Sequence, residues 1–500
     1  MLINRFLRLH NFTEHPFTKV AGEKEELLEL YFVEPRYFSE ALGDANHPKS
    51  YVIFGPRGGG KSAIRSMIEL YCSTEKFEDD IGGKVLSITY DDFTALRLGQ
   101  LNTITLTDHV NEILKRGVAK LALSLVEQGR VGDDLPTASR GLLRWYIDEY
   151  MTDLSRLELD SILRALESKS EKIKSLILNV MEIYNTLISV LNLEKIEPSK
   201  PTEIPKTKRD AISSIHVMET FTRLAEDVGY KAVYILVDKI DETDYTGGQS
   251  NKAARLVHPL LTNIRLLEIS RGAFKFFLWE NVKSHFGDEL RTDRIKMKPT
   301  EWTDNDLERM LVGRIGAYSL KRANIDTLFK EDIKNEIINI LVRLSYKSPR
   351  DLNRLMESIF AETAAEARDD DYKIGKNAVI QGIEKFAQER SIELYGNEVV
   401  SRVLRMKRPI FTISDVAATF KITGGKEARE VEEIPDRTAT NRARNVVEKW
   451  KTSGIIEQVE SGIQTDFSGR RRPVNQYGIL DPRVIYMIDP NSFMQQLITV

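Results

Sequence analysis

The strongest constraint on this chain is a short apolar run that stops abruptly on glycine. Tyr51-Val52-Ile53-Phe54 is β-branched and aromatic, and Gly55-Pro56-Arg57-Gly58-Gly59-Gly60 follows at once. Such a run reads as a buried strand, and the glycines as a tight turn. Helical spacing then begins at Lys61 and reaches about Tyr71, with Ile64, Met67 and Ile68 on one face. In that strand-loop-helix setting, residues 55–62 match G-x-x-x-x-G-K-[ST]. Glycines let successive N–H groups curl around phosphate oxygens. Lys61 is expected to reach the β- and γ-phosphates and the Ser62 hydroxyl to ligate Mg2+, with the positive end of the following helix facing the anion. The competing reading, a glycine turn with no ligand, does not explain the lysine, the hydroxyl and the flanks together.

A metal shell of this kind needs a second, acidic strand. Tyr234-Ile235-Leu236-Val237 ends on Asp238, at the strand edge where α/β ligands sit, so Asp238 is the expected Mg2+-shell residue, acting through water. Asp241 and Glu242 follow, carboxylates suited to orienting or deprotonating an attacking water. Glu242 is preferred over Asp241, and a mere surface turn is the alternative for either. Strand character also marks residues 85–90 and 274–278, and residues 251–269 have helical spacing. Alternation of this kind predicts a parallel sheet covered on both faces.

Far more chain separates Lys61 from Asp238 than a compact crossover needs. Residues 108–192 are helical in pattern and read as an insertion. Its stripe, including Leu154, Leu157, Ile162, Leu163, Leu166, Ile173, Leu176, Ile177, Val180, Ile183 and Leu187, predicts a core of its own rather than a partner groove. Residues 194–209, with Pro198, Pro201 and Pro205 among charges, read as a linker. After Pro299 the chain is helical to about Glu393, and Thr303 before Asp304 and Asp306 marks a helix start.

Composition narrows the function classes. The 500 residues suggest about three domains, and 41% hydrophobic with 29% charged residues suits a globular chain. A formal charge of −3 gives no global pull toward nucleic acid, so such contact needs a local patch. The one cysteine, Cys72, excludes a disulfide framework within the chain, and the scattered histidines give no zinc spacing. No apolar run reaches the ~18 residues that span a bilayer, and residues 1–6 lack a signal-type apolar stretch. A cytoplasmic protein without membrane contact is expected.

Residues 55–62 and Ile235-Leu236-Val237-Asp238-Lys239-Ile240-Asp241-Glu242 resemble the Walker A and Walker B motifs of AAA+ and STAND-type P-loop ATPases. Leu290-Arg291-Thr292-Asp293-Arg294-Ile295, followed by Trp302-Thr303-Asp304-Asn305-Asp306-Leu307, is similar to the approach to the lid in bacterial origin-recognition-like ATPases. Ser348-Pro349-Arg350-Asp351-Leu352 resembles their sensor-2 segment, and residues 11–38 their leader, which would pack near the adenine. The resemblance covers about residues 11–388 apart from the helical region. It implies ATP and Mg2+ as ligands, Arg350 pointing at the γ-phosphate, Asn281 as sensor 1, and Arg291 or Arg294 as an arginine finger acting in trans. A loop amide and surface ion pairs are the competing roles for Asn281 and the two arginines. A homo-oligomer is likewise implied. Asn251-Lys252-Ala253-Ala254 is not a guanine-specifying N-K-x-D, which disfavours GTP. Thr246-Gly247-Gly248-Gln249-Ser250 reads as a loop beside the site rather than a transporter-type signature, which would precede the acidic strand.

The last hundred residues change character. Residues 399–406, 413–420 and 440–452 suit three helices, and residues 454–459 and 475–480 two strands around a polar tip. That outline is a winged helix, which often presents its third helix to a DNA groove and its wing to the backbone. Arg442, Arg444, Lys449 and Lys451 lie on the third helix, and Arg470, Arg471 and Arg472 at the tip, a compact site for phosphate oxygens. Residues 391–500 are barely basic overall, so protein docking competes with DNA contact.

The expected architecture is therefore α/β, a P-loop NTPase parallel sheet with a helical insertion, an all-α lid and a C-terminal winged-helix domain. The divisions fall at 1–300, 301–393 and 394–500. The expected activity is an ATP-driven switch coupled to DNA or a partner. The alternatives are a non-hydrolysing scaffold that recruits a separate effector protein, and a DNA-binding regulator with a structural nucleotide site. Relatives of this type occur in replication, mobile elements and anti-phage defence, and the resemblance does not choose among them.

Overall fold

The computed structural model describes residues 3–19, 22, 25–96, 103–129, 134–151, 180–201, 213–333, 336–366, 373–422, 436–465 and 471–491. The chain divides into two compact units. One comprises residues 21–23 and 34–301, the other 1–20, 24–33 and 302–500.

The first unit is built on five strands, β1 (Tyr51–Gly55), β2 (Val85–Tyr90), β3 (Ala232–Val237), β4 (Gly272–Trp279) and β5 (Lys296–Pro299). Their order is β2-β3-β4-β1-β5, and every neighbouring pair is parallel. The middle strands are apolar, apart from the buried Lys275 of β4, because both faces are covered, and β3 is buried at every position. Strand β5 escapes sequence reading because Lys296-Met297-Lys298-Pro299 has the charge and proline of an edge.

Among the described residues this unit has six longer helices: α1 (Lys61–Ser73), α2 (Leu106–Glu127), α3 (Thr137–Tyr150), α4 (Val180–Val190), α5 (Ser214–Asp227) and α6 (Ser250–Leu261). The insertion is not a body with its own core in the part described. Val110, Ile113, Leu121, Leu143, Ile147 and Leu187 share one apolar cluster with Val233, Ile235, Phe274 and Phe276 of the sheet. Helix α2 starts on a capping box between Thr105 and Asp108. Gly117 lets it approach β2, since a Cβ there would stand 2.7 Å from Ile88 Cδ1. Burial around nearly the whole circumference of α2 follows, as for a central helix rather than a surface one. Leu154, Leu157, Ile162, Leu163, Leu166, Ile173, Leu176 and Ile177 of the expected stripe lie outside the described residues.

The second unit begins with the short helix Ile3–Leu9 and continues with α7 (Asp304–Tyr318), α8 (Ile337–Leu344), α9 (Pro349–Glu366) and α10 (Lys376–Tyr395). Thr303 and Asp306 close a capping box at the start of α7. Residues 3–19 and 25–33 group with these helices. Buried Arg314 of α7 donates to Tyr31 Oη (2.7 Å), to the Lys19 carbonyl (2.8 Å) and to the Pro16 carbonyl, and it pairs with Glu25.

The unit ends in a winged-helix module of α11 (Asn397–Leu404), α12 (Ile413–Ile422) and α13 (Asp436–Thr452), followed after the wing by α14 (Pro482–Ile488). Its antiparallel strands β6 (Ile410–Thr412), β7 (Ile456–Thr465) and β8 (Arg471–Ile479) lie in the order β6-β8-β7. Val403, Phe411, Val416, Ala443, Val447, Trp450, Tyr477 and Val484 form its core. The wing strands run longer than the sequence predicts, for two local reasons. A register break between Val459 and Gly462 interrupts the period-two pattern, and Pro473, paired opposite Ile463, breaks the strand signal of β8. Strand β6, three residues long, carries too little pattern to be predicted. Among the described residues no helix is long and apolar enough to cross a membrane.

Candidate functional site

Parallel pairing delivers the carboxyl ends of the strands to one edge. Gly55 of β1 is in register with Trp279 of β4, and Val237 of β3 with Phe276. The loops after β1, β3 and β4 therefore emerge beside one another, the usual position of an α/β ligand site.

The loop after β1 turns on Gly58 and Gly60, whose φ angles of 82° and 85° fall in the left-handed region. Only glycine adopts it without a Cβ penalty, and such a turn aims N–H groups inward as an anion nest. Lys61 opens α1 and folds its ammonium across the base of the loop, donating to the carbonyls of Gly55 (3.0 Å) and Pro56 (2.8 Å). The positive charge is thus fixed under the cradle by the loop's own acceptors.

Behind the loop, Asp238 is buried at the end of β3. Its Oδ1 accepts the Lys239 N–H (2.9 Å) and its Oδ2 accepts Arg65 Nε (3.1 Å), and the Ser62 hydroxyl is close enough to favour the charged carboxylate. Burial pushes the Asp238 carboxyl above its ordinary range, while Arg65 and Ser62 pull it back. A hydroxyl near a carboxylate, beside an ammonium, is an oxygen donor set that fits a hard, hydrated cation next to phosphate. Lys239 takes a left-handed φ of 58° to turn the chain out of the strand, and its ammonium lies 3.4 Å from Asp91.

The two further carboxylates diverge. Asp241 is buried and engaged, accepting Arg57 Nε at 2.9 Å while Arg57 Nη2 reaches the Asp241 carbonyl at 3.2 Å. The same guanidinium sits 4.7 Å over the Trp279 ring. One loop residue thereby stitches together the ends of β1, β3 and β4. Glu242, closing the 3-10 turn Ile240–Glu242, is exposed on the same edge.

Asn281 is exposed in the 3-10 turn Glu280–His285 just past β4, and its carbonyl accepts from Ser284. Arg291 pairs with Asp293 (2.9 Å) and Arg294 with Glu268, all at the surface of the first unit. Arg350 is the second residue of α9 in the other unit, half-buried, and its neighbour Asp351 is fully buried.

Sequence reading missed Arg65, Glu69, Lys120 and Trp279. A faint signal existed for the first. Arg65 sits among Ile64, Met67 and Ile68, four residues before Glu69, so a charged pair shares the apolar side of α1.

In the winged-helix module, Ala439, Ala443, Val447 and Trp450 form the inner face of α13, leaving Arg442, Arg444 and Lys449 exposed. Arg471 and Arg472 open β8 opposite Thr465 and Gln464, while Arg470 lies outside the described residues.

Fold and loop together define an α/β chain with a phosphate-type loop at the carboxyl edge of a parallel sheet, joined to a helical unit that ends in a winged helix. No family model and no curated protein matches the sequence. Among solved structures, the chain is similar to the Aeropyrum pernix ORC1 protein in complex with DNA. The identity is 11% over 96% of this chain and 98% of that one, with a TM-score of 0.36. It is also similar to the Aeropyrum pernix ORC2 protein in its ADPNP–ADP complexes, at 10% identity over 99% of this chain and 98% of that one, with a TM-score of 0.38.

Proposed function

We propose that this chain is a Mg2+-dependent ATP-binding and ATP-hydrolysing switch of AAA+ or STAND type, whose nucleotide state is coupled to DNA or partner-protein engagement through the winged-helix module. One observation carries the reading. Lys61 spans two carbonyls of a loop held open by left-handed glycines, while Asp238 lies buried at the end of β3 with the Ser62 hydroxyl close enough to favour its charged form.

On this reading the N–H groups of residues 57–62 and the Lys61 ammonium receive the phosphate chain. Ser62, and Asp238 through water, would hold magnesium, which would supply neutralisation of the phosphate charge. Glu242, exposed on the site edge, orients and deprotonates the attacking water. Asn281 and Arg350 are the proposed γ-phosphate sensors, and Arg294 or Arg291 the proposed finger of a second copy. Arg442, Arg444, Arg470, Arg471 and Arg472 are the proposed DNA contacts, supported by the exposed basic row on α13.

Two substitutions test the core of this. Lys61→Ala should abolish calorimetric binding of ATP with Mg2+, whereas Glu242→Gln should retain binding and lose turnover by about 10²–10⁴-fold. Wild-type chain that binds no adenine nucleotide would overturn the reading.

A further inference from the structure

The charges behind the phosphate loop form a connected set of which the hydrolytic reading uses only Asp238. Arg65 is buried on α1, its side chain 4% exposed. One arm of the guanidinium reaches Asp238 (Nε to Oδ2, 3.1 Å) and another reaches Glu69 (Nη1 to Oε2, 3.0 Å). Glu69 is held in turn. Its Oε1 accepts Thr89 Oγ1 of β2 at 2.8 Å and lies 3.8 Å from Lys120 Nζ. Lys120 comes from the insertion helix α2 and donates to Ser87 of β2 at 3.2 Å. Two carboxylates and two cations thus close a chain from the insertion, through β2 and α1, to the aspartate facing Ser62.

We propose that Arg65 is a positioning residue for the metal shell, locking the rotamer of Asp238 so that the carboxylate addresses Ser62, and that Glu69 and Lys120 make the insertion helix part of that support. The geometry favours this over plain charge neutralisation. A lone buried carboxylate needs only one cation nearby, whereas here a planar fork is aimed at two carboxylates at once, an arrangement an ammonium does not reproduce. Asp238 is also fixed on its other oxygen by the Lys239 N–H, which leaves the carboxylate no free rotation. Outer partners of metal ligands commonly act in this way, and their loss weakens metal binding about 10–100-fold.

The proposal rests on the nucleotide reading above, and its test separates the two. ATP affinity is measured by calorimetry on the full chain, with Mg2+ and with EDTA, for wild type, Arg65→Met, Arg65→Lys and Lys120→Met. Expected are near-unchanged metal-free affinities, a Mg2+ enhancement reduced about tenfold or more in Arg65→Met, a clear loss in Arg65→Lys, and a smaller loss of the same sign in Lys120→Met. An unchanged Mg2+ enhancement in Arg65→Met overturns the proposal, and so does full retention by Arg65→Lys. Should Arg65→Met fail to fold, Arg65→Lys and Lys120→Met decide, and wild-type enhancement in both overturns it. Wild-type chain that retains no ATP overturns the nucleotide reading itself.

Discussion

Adjacent carboxylates at the end of β3 illustrate how neighbours in sequence acquire different chemistry. Asp241 is paired to Arg57 and Glu242 is exposed on the site edge. Asp241→Asn should therefore loosen the Arg57 clamp and reduce turnover less than Glu242→Gln does, which a parallel ATPase assay decides. Equal losses would make the two a joint base. A second residue carries a pH signature. Lys275 is buried in β4, donates to the Lys49 carbonyl at 2.8 Å and lies 4.7 Å over the Tyr234 ring. Burial pulls its pKa down to about 7. The unfolded chain keeps the lysine protonated to about pH 10.4, so between pH 7 and 10 the unfolded state binds more protons and stability rises with pH. The slope approaches about 1.4 kcal/mol per pH unit in that window. Lys275→Met should flatten it and raise the urea midpoint at pH 7, with denaturation at pH 7 and pH 9 as the check. At this scale the sequence was legible where backbone geometry dictates residue type, as at Gly58, Gly60 and the Val237-Asp238 step. Arg65 and Lys275 were not, because a cation on an amphipathic element reads as solvent-facing until its buried partner is known.

At the scale of elements, the insertion shows what periodicity leaves open. A stripe identifies an apolar face but not what covers it, and α2 packs its apolar residues against β2 and α5 as well as against α3 and α4 of the insertion. His109 records that docking. Its Nε2 meets the Leu256 carbonyl of α6 at 2.9 Å, which can only accept, so Nδ1 must accept from Tyr90 Oη at 2.8 Å. The neutral ring satisfies both bonds, and burial pushes its pKa down to about 4. Unfolded histidine titrates near 6.5, so stability contributed here is lost as the pH falls from about 6.5 toward 4. His109→Gln should flatten that acid limb while costing stability at pH 7, as urea midpoints at pH 5 and pH 7 would show. In the second unit, Arg483 of α14 bonds Asp351 of α9 (2.6 Å) and Asp481 (2.7 Å), and Tyr395 of α10 donates to Asp481 at 2.9 Å. These charges are almost wholly out of water. Arg483→Met leaves buried Asp481 without its cation and Asp351 with Arg390 alone, and should cost about 3–5 kcal/mol, read from denaturant midpoints. The sequence marked Arg350 beside this cluster and missed the cluster itself, since nothing local links Asp351 to a residue so far along the chain.

For the whole molecule, the switch reading makes a demand that no single site satisfies. If ATP changes DNA affinity by some factor, DNA must change ATP affinity by the same factor, because the two measure one coupling free energy. Glu242→Gln isolates that coupling by holding ATP uncleaved. DNA affinity with and without ATP, and ATP affinity with and without DNA, should then give equal ratios, of the order of 5–150-fold for a coupling of about 1–3 kcal/mol. The DNA term itself should be local, given a net charge of −3. Replacing Arg442 and Arg444 together with alanine should weaken duplex binding and make its logarithmic salt slope shallower by about 0.9 for each phosphate that is no longer neutralised. The ion cluster on Arg483 ties α9, which carries Arg350, to α14 beside the wing strands within one unit. If that cluster transmits nucleotide state, Arg483→Met should bring both affinity ratios toward unity while Arg442→Ala with Arg444→Ala lowers DNA affinity at every nucleotide state. A wild-type ratio of one in both directions removes the switch and leaves two independent ligands on one chain.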